Sequence, residues 1–467
     1  MKQTEALNAE LDQLKDYFQI PGISYTVLKG DQLLLSEQSG YANLETHESV
    51  NENTLFPIAS LTKIYTTILL FSLEEEGKID LNDPITNYID ADIPEEITIA
   101  HVLSHTSQGE PGTTFYYSFR FSWLTKVIER SSGMSFKQYL TQTIVTPLAL
   151  TNTYLLDEEF RNSEAFNRMA KPYNLDGEIV DGNLEMGYSA SAGIVTSMKD
   201  FIRFNKAFDS NELITQGSKH KMGTPHVLGS PYGLGIFTSA FENTRIVWGY
   251  GQYDSYSSLY LKVPDKDLTF IIFANNNLMS DPARLIMGEP TSSLFALSFL
   301  KNFVFNQSEL PLLETRERLD TLPNAENNLL REKLLAQALA ESFLSRFETD
   351  RRFMSADLLR KTFELFPDYS YYATINTLHS MSFLNDVAFF MDLEKNNEFD
   401  PMIEEIGSLI LEKEPYNPYV HNTLAIHYDR KGEVEKTRYH SEKIINTPNF
   451  STHWYTREAQ QWLEGNN

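Results

Sequence analysis

The chain has 467 residues, a formal net charge of −25 and no cysteine. That length exceeds what one hydrophobic core organises, so two domains are expected, and a 41 % hydrophobic content supplies material for both. The acidic excess repels phosphate backbones and argues against nucleic acid as a partner, while the missing cysteines exclude disulfides, thiolate metal sites and a cysteine nucleophile.

Residues 4–18 alternate like an amphipathic surface helix that stops at Pro21-Gly22. They contain no apolar signal core, so either the chain stays in the cytoplasm or a signal was trimmed ahead of this numbering and the protein works outside it. No apolar run reaches the roughly 18 residues that cross a bilayer, so no transmembrane segment is expected. From Gly22 to Asn43 apolar and polar residues alternate around Lys29-Gly30-Asp31, the pattern of a β-hairpin. A second β region comes late, TRIVWGYG and then SSLYLKVPDKDLTFIIFAN, broken at Pro264-Asp265. The stretch of about 200 residues between them is helix-rich. Strands at both ends with helices between predict one antiparallel sheet closed by the two termini, an α/β sandwich. Residues 291–305 predict one more helix packed back on that sheet.

From about Glu309 glycine almost vanishes and helical periodicity runs to the end. Pro367 and Pro401 are 34 residues apart, and Pro415 and Pro448 are 33 apart. Asn417 to Pro448 reads as a helix-turn-helix, with Ala425, Tyr428 and Gly432 where a tetratricopeptide-type unit carries small, aromatic and turn residues. The rest of the tail fits further units of that kind or an irregular helical bundle equally. The first arrangement offers a surface to a protein partner, the second only a cap. His421 and His427 read as surface residues of the helical pair.

The chemistry rests on Ser60-Leu61-Thr62-Lys63. Positions i and i+3 share a helix face, so the Lys63 amine can sit beside the Ser60 hydroxyl. Burial favours a neutral lysine, and a neutral amine can take the serine proton. The spacing Ser-x-x-Lys also occurs at Ser218 and Ser298, the first in a polar loop, the second inside a helix. Only Ser60 follows an extended entry, Phe56-Pro57-Ile58-Ala59, that puts it at a helix N-terminus, where free N–H groups favour developing negative charge. His101 and His105 have the spacing of a zinc helix but lack the glutamate that would activate water, so no metal is expected. Glu74-Glu75-Glu76 ahead of Gly77 reads as a solvated helix end. Gly187 to Ser191 misses the final glycine of a nucleophile elbow, and Gly249-Tyr250-Gly251 is no phosphate loop.

Thr54 to Ile89, built around Ser60 and Lys63, resembles the serine β-lactamase and penicillin-binding-protein family in its class C and esterase-like branch. Leu103-Ser104-His105-Thr106-Ser107 is similar to that branch's L-x-H-T-S-G turn, and Pro111 to Ser118 to its P-G-T-x-F-x-Y-S-N. Pro147-Leu148 with Thr151-Asn152-Thr153, then Ser191 to Ser197 with Asp200, then Tyr232-Gly233-Leu234-Gly235 follow in the family's order. The resemblance covers about residues 5–305. It implies a β-lactamase/transpeptidase-like domain over 1–305, an antiparallel sheet flanked by helices plus an all-helical part, followed by an α-helical domain over 306–467. It further implies Ser60 as the acylated nucleophile, Lys63 as its proton acceptor, Tyr117 as the proton shuttle to the leaving group, and no cofactor. The N–H groups of Ser60 and Gln252 would hold the oxyanion.

Two departures bear on the substrate. Phe119 stands where the family has an asparagine. The third motif, anchored by Tyr256-Ser257-Ser258, falls at Gly249-Tyr250-Gly251 after Trp248 and lacks the cation that grips a substrate carboxylate. Phe119, Tyr250 and Gly251 would then line the substrate side. These losses point to a neutral ester or amide, small or peptide-like, and away from a carboxylate-bearing substrate. The alternative is a catalytically impaired member that binds a ligand and uses its helical tail as an interaction surface.

Overall fold

The computed structural model describes residues 2–322, 327–345, 347–348, 350–367, 374–375, 378–379, 381–382, 400–448, 450 and 454–466. Contacts divide the chain into two compact units. One holds almost everything up to Asp281 together with Ser298–Ser308; the other holds Pro282–Leu297 and the chain from Glu309 onward.

In chain order the first unit contains α1 (Lys2–Tyr17), β1 (Gly22–Lys29), β2 (Gln32–Asn43), β3 (Glu48–Ser49), β4 (Leu55–Pro57), α2 (Thr62–Glu75) and α3 (Ile99–Leu103). Then come α4 (Leu124–Ser132), α5 (Phe136–Leu140), β5 (Thr153–Leu155), α6 (Glu158–Arg161), β6 (Ile194–Ser197), α7 (Met198–Asp209) and α8 (Gln216–Met222). Four strands finish it: β7 (Phe237–Phe241), β8 (Thr244–Tyr253), β9 (Tyr256–Val263) and β10 (Leu268–Ala274). The main sheet has the order β3-β2-β1-β10-β9-β8-β7. Its first long strand pairs antiparallel with its last, Ile23 opposite Ala274 through Lys29 opposite Leu268. The hairpin between β1 and β2 turns at Gly30, whose φ of +53° suits glycine.

Each face of this sheet carries helices. On one, α1 buries Leu7, Leu11 and Leu14, the i, i+4, i+7 stripe of an amphipathic helix. Beside it Phe299 stacks on Phe270 at 5.1 Å, and Ser298 Oγ donates to Glu10 at 2.6 Å. On the other face Phe201 of α7 packs edge-on against Tyr260 and Phe273, and Tyr65 of α2 stacks on Phe204 at 3.8 Å. Every residue of α2 from Thr62 to Phe71 is buried, so this helix is enclosed on all sides.

The structure departs from the sequence reading in several places. A small second sheet, β4-β6-β5, was not anticipated, because strands of three or four residues show no alternation to read. β7 was missed as well. The helix expected over 291–305 begins at Leu294, after a 3₁₀ turn at Pro290–Ser292, and runs as a π-turn through Leu300–Val304. Ser218 lies in α8 rather than in a polar loop, capped by Thr215. The acidic end of α2 is not merely solvated: Glu74 pairs with Lys221 at 2.7 Å, and Glu75 accepts from Ser218 Oγ at 2.6 Å.

The second unit is helical among its described residues, chiefly Asn328–Leu344, Arg351–Leu365, Asp400–Lys413, Pro418–Arg430, Val434–Ile445 and Trp454–Gly465. Pro418–Arg430 and Val434–Ile445 form a helix-turn-helix around Gly432, at φ +72°. His421 and His427 are fully buried, against expectation, because neighbouring helices cover them. His421 Nδ1 meets His440 Nδ1 at 2.8 Å, and His427 Nε2 lies 3.3 Å from Glu404 Oε1 on Asp400–Lys413. No described helix is long and apolar enough to cross a membrane.

Candidate active site

β4 delivers the chain to a turn at Ile58, and a 3₁₀ turn over Ala59–Leu61 leads directly into α2. Ala59 is buried with a φ of +46°, a left-handed conformation that costs a non-glycine residue roughly 1 kcal/mol and gathers at functional sites. Ser60 follows it at the start of the helical run, where the first N–H groups have no partner within the helix.

Lys63 Nζ lies 2.9 Å from Ser60 Oγ and donates to the Ser191 carbonyl at 3.1 Å. Its side chain is buried, and among the described residues no carboxylate pairs with it. The other two Ser-x-x-Lys pairs differ on this point. Lys221 is bound to Glu74, and Lys301, also buried, is bound to Glu10, which also accepts from Ser298 Oγ. Of the three pairs, only Ser60 and Lys63 bond each other; in the other two, serine and lysine each engage a carboxylate. Ser191 escaped the sequence reading as a site residue because its contribution is a main-chain oxygen, which leaves no mark on residue type. It is positioned by the bond between Ala190 O and Thr66 Oγ1 and by that between Ala190 N–H and Thr125 Oγ1.

Tyr117 reaches the dyad through its ring, whose centroid is 4.9 Å from Lys63 Nζ. Among the described residues its hydroxyl has no hydrogen-bond partner, so it is not within bonding reach of Ser60. The ring belongs to an aromatic cluster: His105 stacks on it at 4.3 Å, and Phe237 and Tyr250 stand at 6.0 and 6.2 Å. Tyr232, fully buried in the same cluster, has its phenol pushed well above its ordinary range by burial, then by Tyr117 and Tyr250, and stays protonated. Phe119 opens the 3₁₀ turn Phe119–Trp123 and is 77 % exposed, making no ring contact among the described residues.

His105 is buried, and its Nδ1 accepts the Ser118 N–H at 2.9 Å, which fixes the proton on Nε2. His101 Nδ1 likewise accepts a backbone N–H, from Thr98, so both rings are spent on shaping their turns. Burial first, and the Lys63 charge second, hold the His105 imidazole well below its ordinary 6.5. A folded value below the unfolded one means that the unfolded chain takes up the proton first. The stability carried by neutral His105 is therefore complete above about pH 6.5 and is lost as pH falls below it, by about 1.4 kcal/mol per pH unit. In urea titrations between pH 5 and 8, His105→Gln is expected to remove that slope relative to the parent. Parallel profiles would show that His105 does not titrate in this way.

The third motif lies on β8. Its two ends close two-residue loops, at Phe241 opposite Thr244, where Glu242 and Asn243 have φ of +49° and +59°, and at Tyr253 opposite Tyr256. Closing pairs exchange both hydrogen bonds, and the bonding direction then alternates along the strand. Counting from either end gives the same result: Gly249, Gly251 and Tyr253 bond toward β9, while Trp248, Tyr250 and Gln252 turn their N–H groups toward β7. Since β7 ends at Phe237, opposite Trp248, the N–H of Gln252 points to an edge that β7 leaves open. The serine turn lies against that part of β8. A Cβ on Gly251 would fall 2.0 Å from Ile58 O, and one on Gly249 would fall 3.1 Å from Leu61 Cδ2. Ser258 Oγ on β9 donates to Ile58 O at 3.0 Å and ties the two together.

A family model described as Beta-lactamase matches residues 7–286. Penicillin-binding protein 4* of Bacillus subtilis is 22 % identical over 346 residues, 63 % of this chain and 75 % of that protein. Protein flp of Staphylococcus aureus is 24 % identical over 307 residues, 55 % of this chain and 60 % of its own length. Among solved structures, an octameric penicillin-binding protein homologue from Pyrococcus abyssi superposes with a TM-score of 0.57 at 21 % identity, over 71 % of this chain and 81 % of that one.

Proposed function

The chain belongs to the Beta-lactamase family of serine hydrolases, and on that premise we propose that it cleaves an ester or amide through an acyl-serine intermediate at Ser60. The observation that carries this reading is the pairing of Ser60 Oγ with a buried Lys63 amine that no described carboxylate engages. Once Lys63 has given up its own proton, the neutral amine takes the serine proton as Oγ attacks the carbonyl carbon. The N–H groups of Ser60 and Gln252 hold the oxygen of the tetrahedral intermediate. Lys63 and Tyr117 pass the proton to the leaving group, the tetrahedral intermediate collapses, and water then frees the acyl group. None of these steps calls for a cofactor. The Tyr117 step requires its hydroxyl to swing toward the dyad when substrate binds, as catalytic contacts often tighten only in the complex.

The missing cation at Gly249 and the phenylalanine at 119 favour a substrate without a carboxylate beside the scissile bond. Residues 1–305 would carry this chemistry, and the helices of 306–467 would offer a surface to a protein partner. One observation favours a second reading, a ligand-binding member without turnover: the Tyr117 hydroxyl engages neither Ser60 nor Lys63.

Intact-protein mass after incubation with a fluorophosphonate, and separately with a penicillin, separates the two. A fluorophosphonate adduct absent from Ser60→Ala is expected, with little or none from the penicillin. Folded protein that takes up neither reagent would overturn the hydrolase.

A further inference from the structure

Tyr117 sits on a segment, residues 114–118, that belongs to no helix or strand. What holds this segment is the turn at His105-Thr106-Ser107, which accepts hydrogen bonds from residues 112–120. The Gly112 N–H donates to Thr106 O at 2.8 Å, and the Arg120 guanidinium donates to Ser107 O. Two further bonds end on His105 and flank Tyr117 itself. The Tyr116 N–H reaches the His105 carbonyl at 2.8 Å, and the Ser118 N–H reaches Nδ1 at 2.9 Å. The imidazole also stacks on the Tyr117 ring, with centroids 4.3 Å apart and planes 27° from parallel. His105 is buried at a φ of +55°, a left-handed conformation that is uncommon outside glycine and gathers at functional sites. Its Nε2 has no hydrogen-bond partner among the described residues. The ring therefore accepts one N–H and stacks, and it relays no proton.

These contacts bear on one step. Tyr117 hands the proton that Lys63 took from Ser60 to the departing oxygen, and its hydroxyl must turn toward the dyad to do so. With the main chain pinned on both sides, that movement is confined to rotation of the side chain about a fixed Cα. A misplacement of about 1 Å at a reacting centre can cost 10²-fold. We propose that His105 is the positioning residue for Tyr117, setting through its carbonyl, its Nδ1 and its ring where the phenol delivers a proton. This rests on Ser60 as the acylated residue and Tyr117 as the proton donor. A residue that only stabilised the turn would affect every substrate alike. One that acts through Tyr117 affects those whose leaving group gains from a proton.

Leaving groups separate the two roles. Fluoride leaves a fluorophosphonate, and 4-nitrophenolate leaves its acetate, without being protonated. The phenolate of phenyl acetate, whose acid has the pKa of about 10 of a tyrosine side chain, gains from a proton donor. His105→Phe keeps a ring and loses the Nδ1 acceptor. His105→Asn sets Oδ1 where Nδ1 stood and suits a left-handed residue. In folded His105→Phe, kcat/KM for phenyl acetate is expected to fall at least about tenfold, while 4-nitrophenyl acetate turnover and fluorophosphonate acylation change less than about threefold. His105→Asn should recover most of the phenyl acetate loss. In Tyr117→Phe protein, His105→Phe should cost nothing further. If His105→Phe does not fold, His105→Gln, which moves the acceptor one carbon outward, takes its place. An equal loss on all three reagents, a loss undiminished in Tyr117→Phe, or parent-like turnover of phenyl acetate would overturn the positioning role. So would a parent that takes up fluorophosphonate but does not turn over phenyl acetate. A parent whose Ser60 takes up no fluorophosphonate would instead remove the hydrolase reading itself.

Discussion

Replacing Lys63 by methionine is expected to slow acylation of Ser60 by about 10²- to 10⁴-fold, the range a positioned proton acceptor contributes. The protein should remain folded with its melting temperature kept or raised, since a buried amine without a described carboxylate partner gives way to an apolar chain of similar length. The other two Ser-x-x-Lys pairs provide the controls. Lys301→Met leaves Glu10 without its cation, beside a lysine site that is 1 % exposed, and is expected to cost about 3 kcal/mol of stability. It should leave the acylation rate of the folded protein unchanged. Lys221→Met breaks a surface pair with Glu74 and should do little to either. Adduct mass against time, with thermal unfolding of the same samples, checks all three. An unchanged acylation rate in Lys63→Met would remove the amine from the mechanism.

These three lysines also show why one candidate could be read from the sequence and what the reading lacked. Local spacing makes them alike. Ser60 stood out because proline and an extended run precede it, and the structure places a buried left-handed residue and a 3₁₀ turn there. What separates the three lysines is whether an acid meets them: Glu74 pairs with Lys221, Glu10 reaches Lys301 across nearly 300 residues, and no described carboxylate pairs with Lys63. The first hairpin was legible because apolar and polar residues alternate through it, and the late strands because β-branched and aromatic residues crowd together there; the pairing of β1 with β10 follows once both ends are seen to be β. β4, β5 and β6 are too short to alternate, although β4 aims the serine turn. Burial of His421 and His427 was illegible for a related reason. A helix face is polar or buried according to what covers it, and the helix carrying Glu404 comes from outside the helix-turn-helix. Ser191 belongs to the Ser191–Ser197 motif, but it acts through its main-chain carbonyl, which no residue type encodes.

Gly251→Ala probes the other half of the site. A Cβ there would stand 2.0 Å from Ile58 O, 2.9 Å from Ile58 C and 2.5 Å from Ser258 Oγ. The first two are main-chain atoms. Ile58 O is held by the Leu61 N–H and the Ser258 hydroxyl, both at 3.0 Å, so it cannot yield alone. Relief requires β8 and the serine turn to part by about 1 Å, and a displacement of that size at a reacting centre can cost 10²-fold. Because the Gln252 N–H is carried on the same open edge, its bond to the developing oxyanion should be lost, worth about 10²- to 10³-fold. We expect acylation to fall by at least about 10²-fold, with about 1–3 kcal/mol of stability lost to overpacking. Gly249→Ala separates room from position. Its Cβ would press on the end of Leu61 at 3.1 Å, a side chain that can turn aside, so activity should drop less than tenfold. Urea unfolding and fluorophosphonate acylation rates on both variants check this. If folded Gly251→Ala acylates like the parent, the oxyanion donor is not on this edge of β8, and the hydroxyl of Ser60 must work with its own N–H alone.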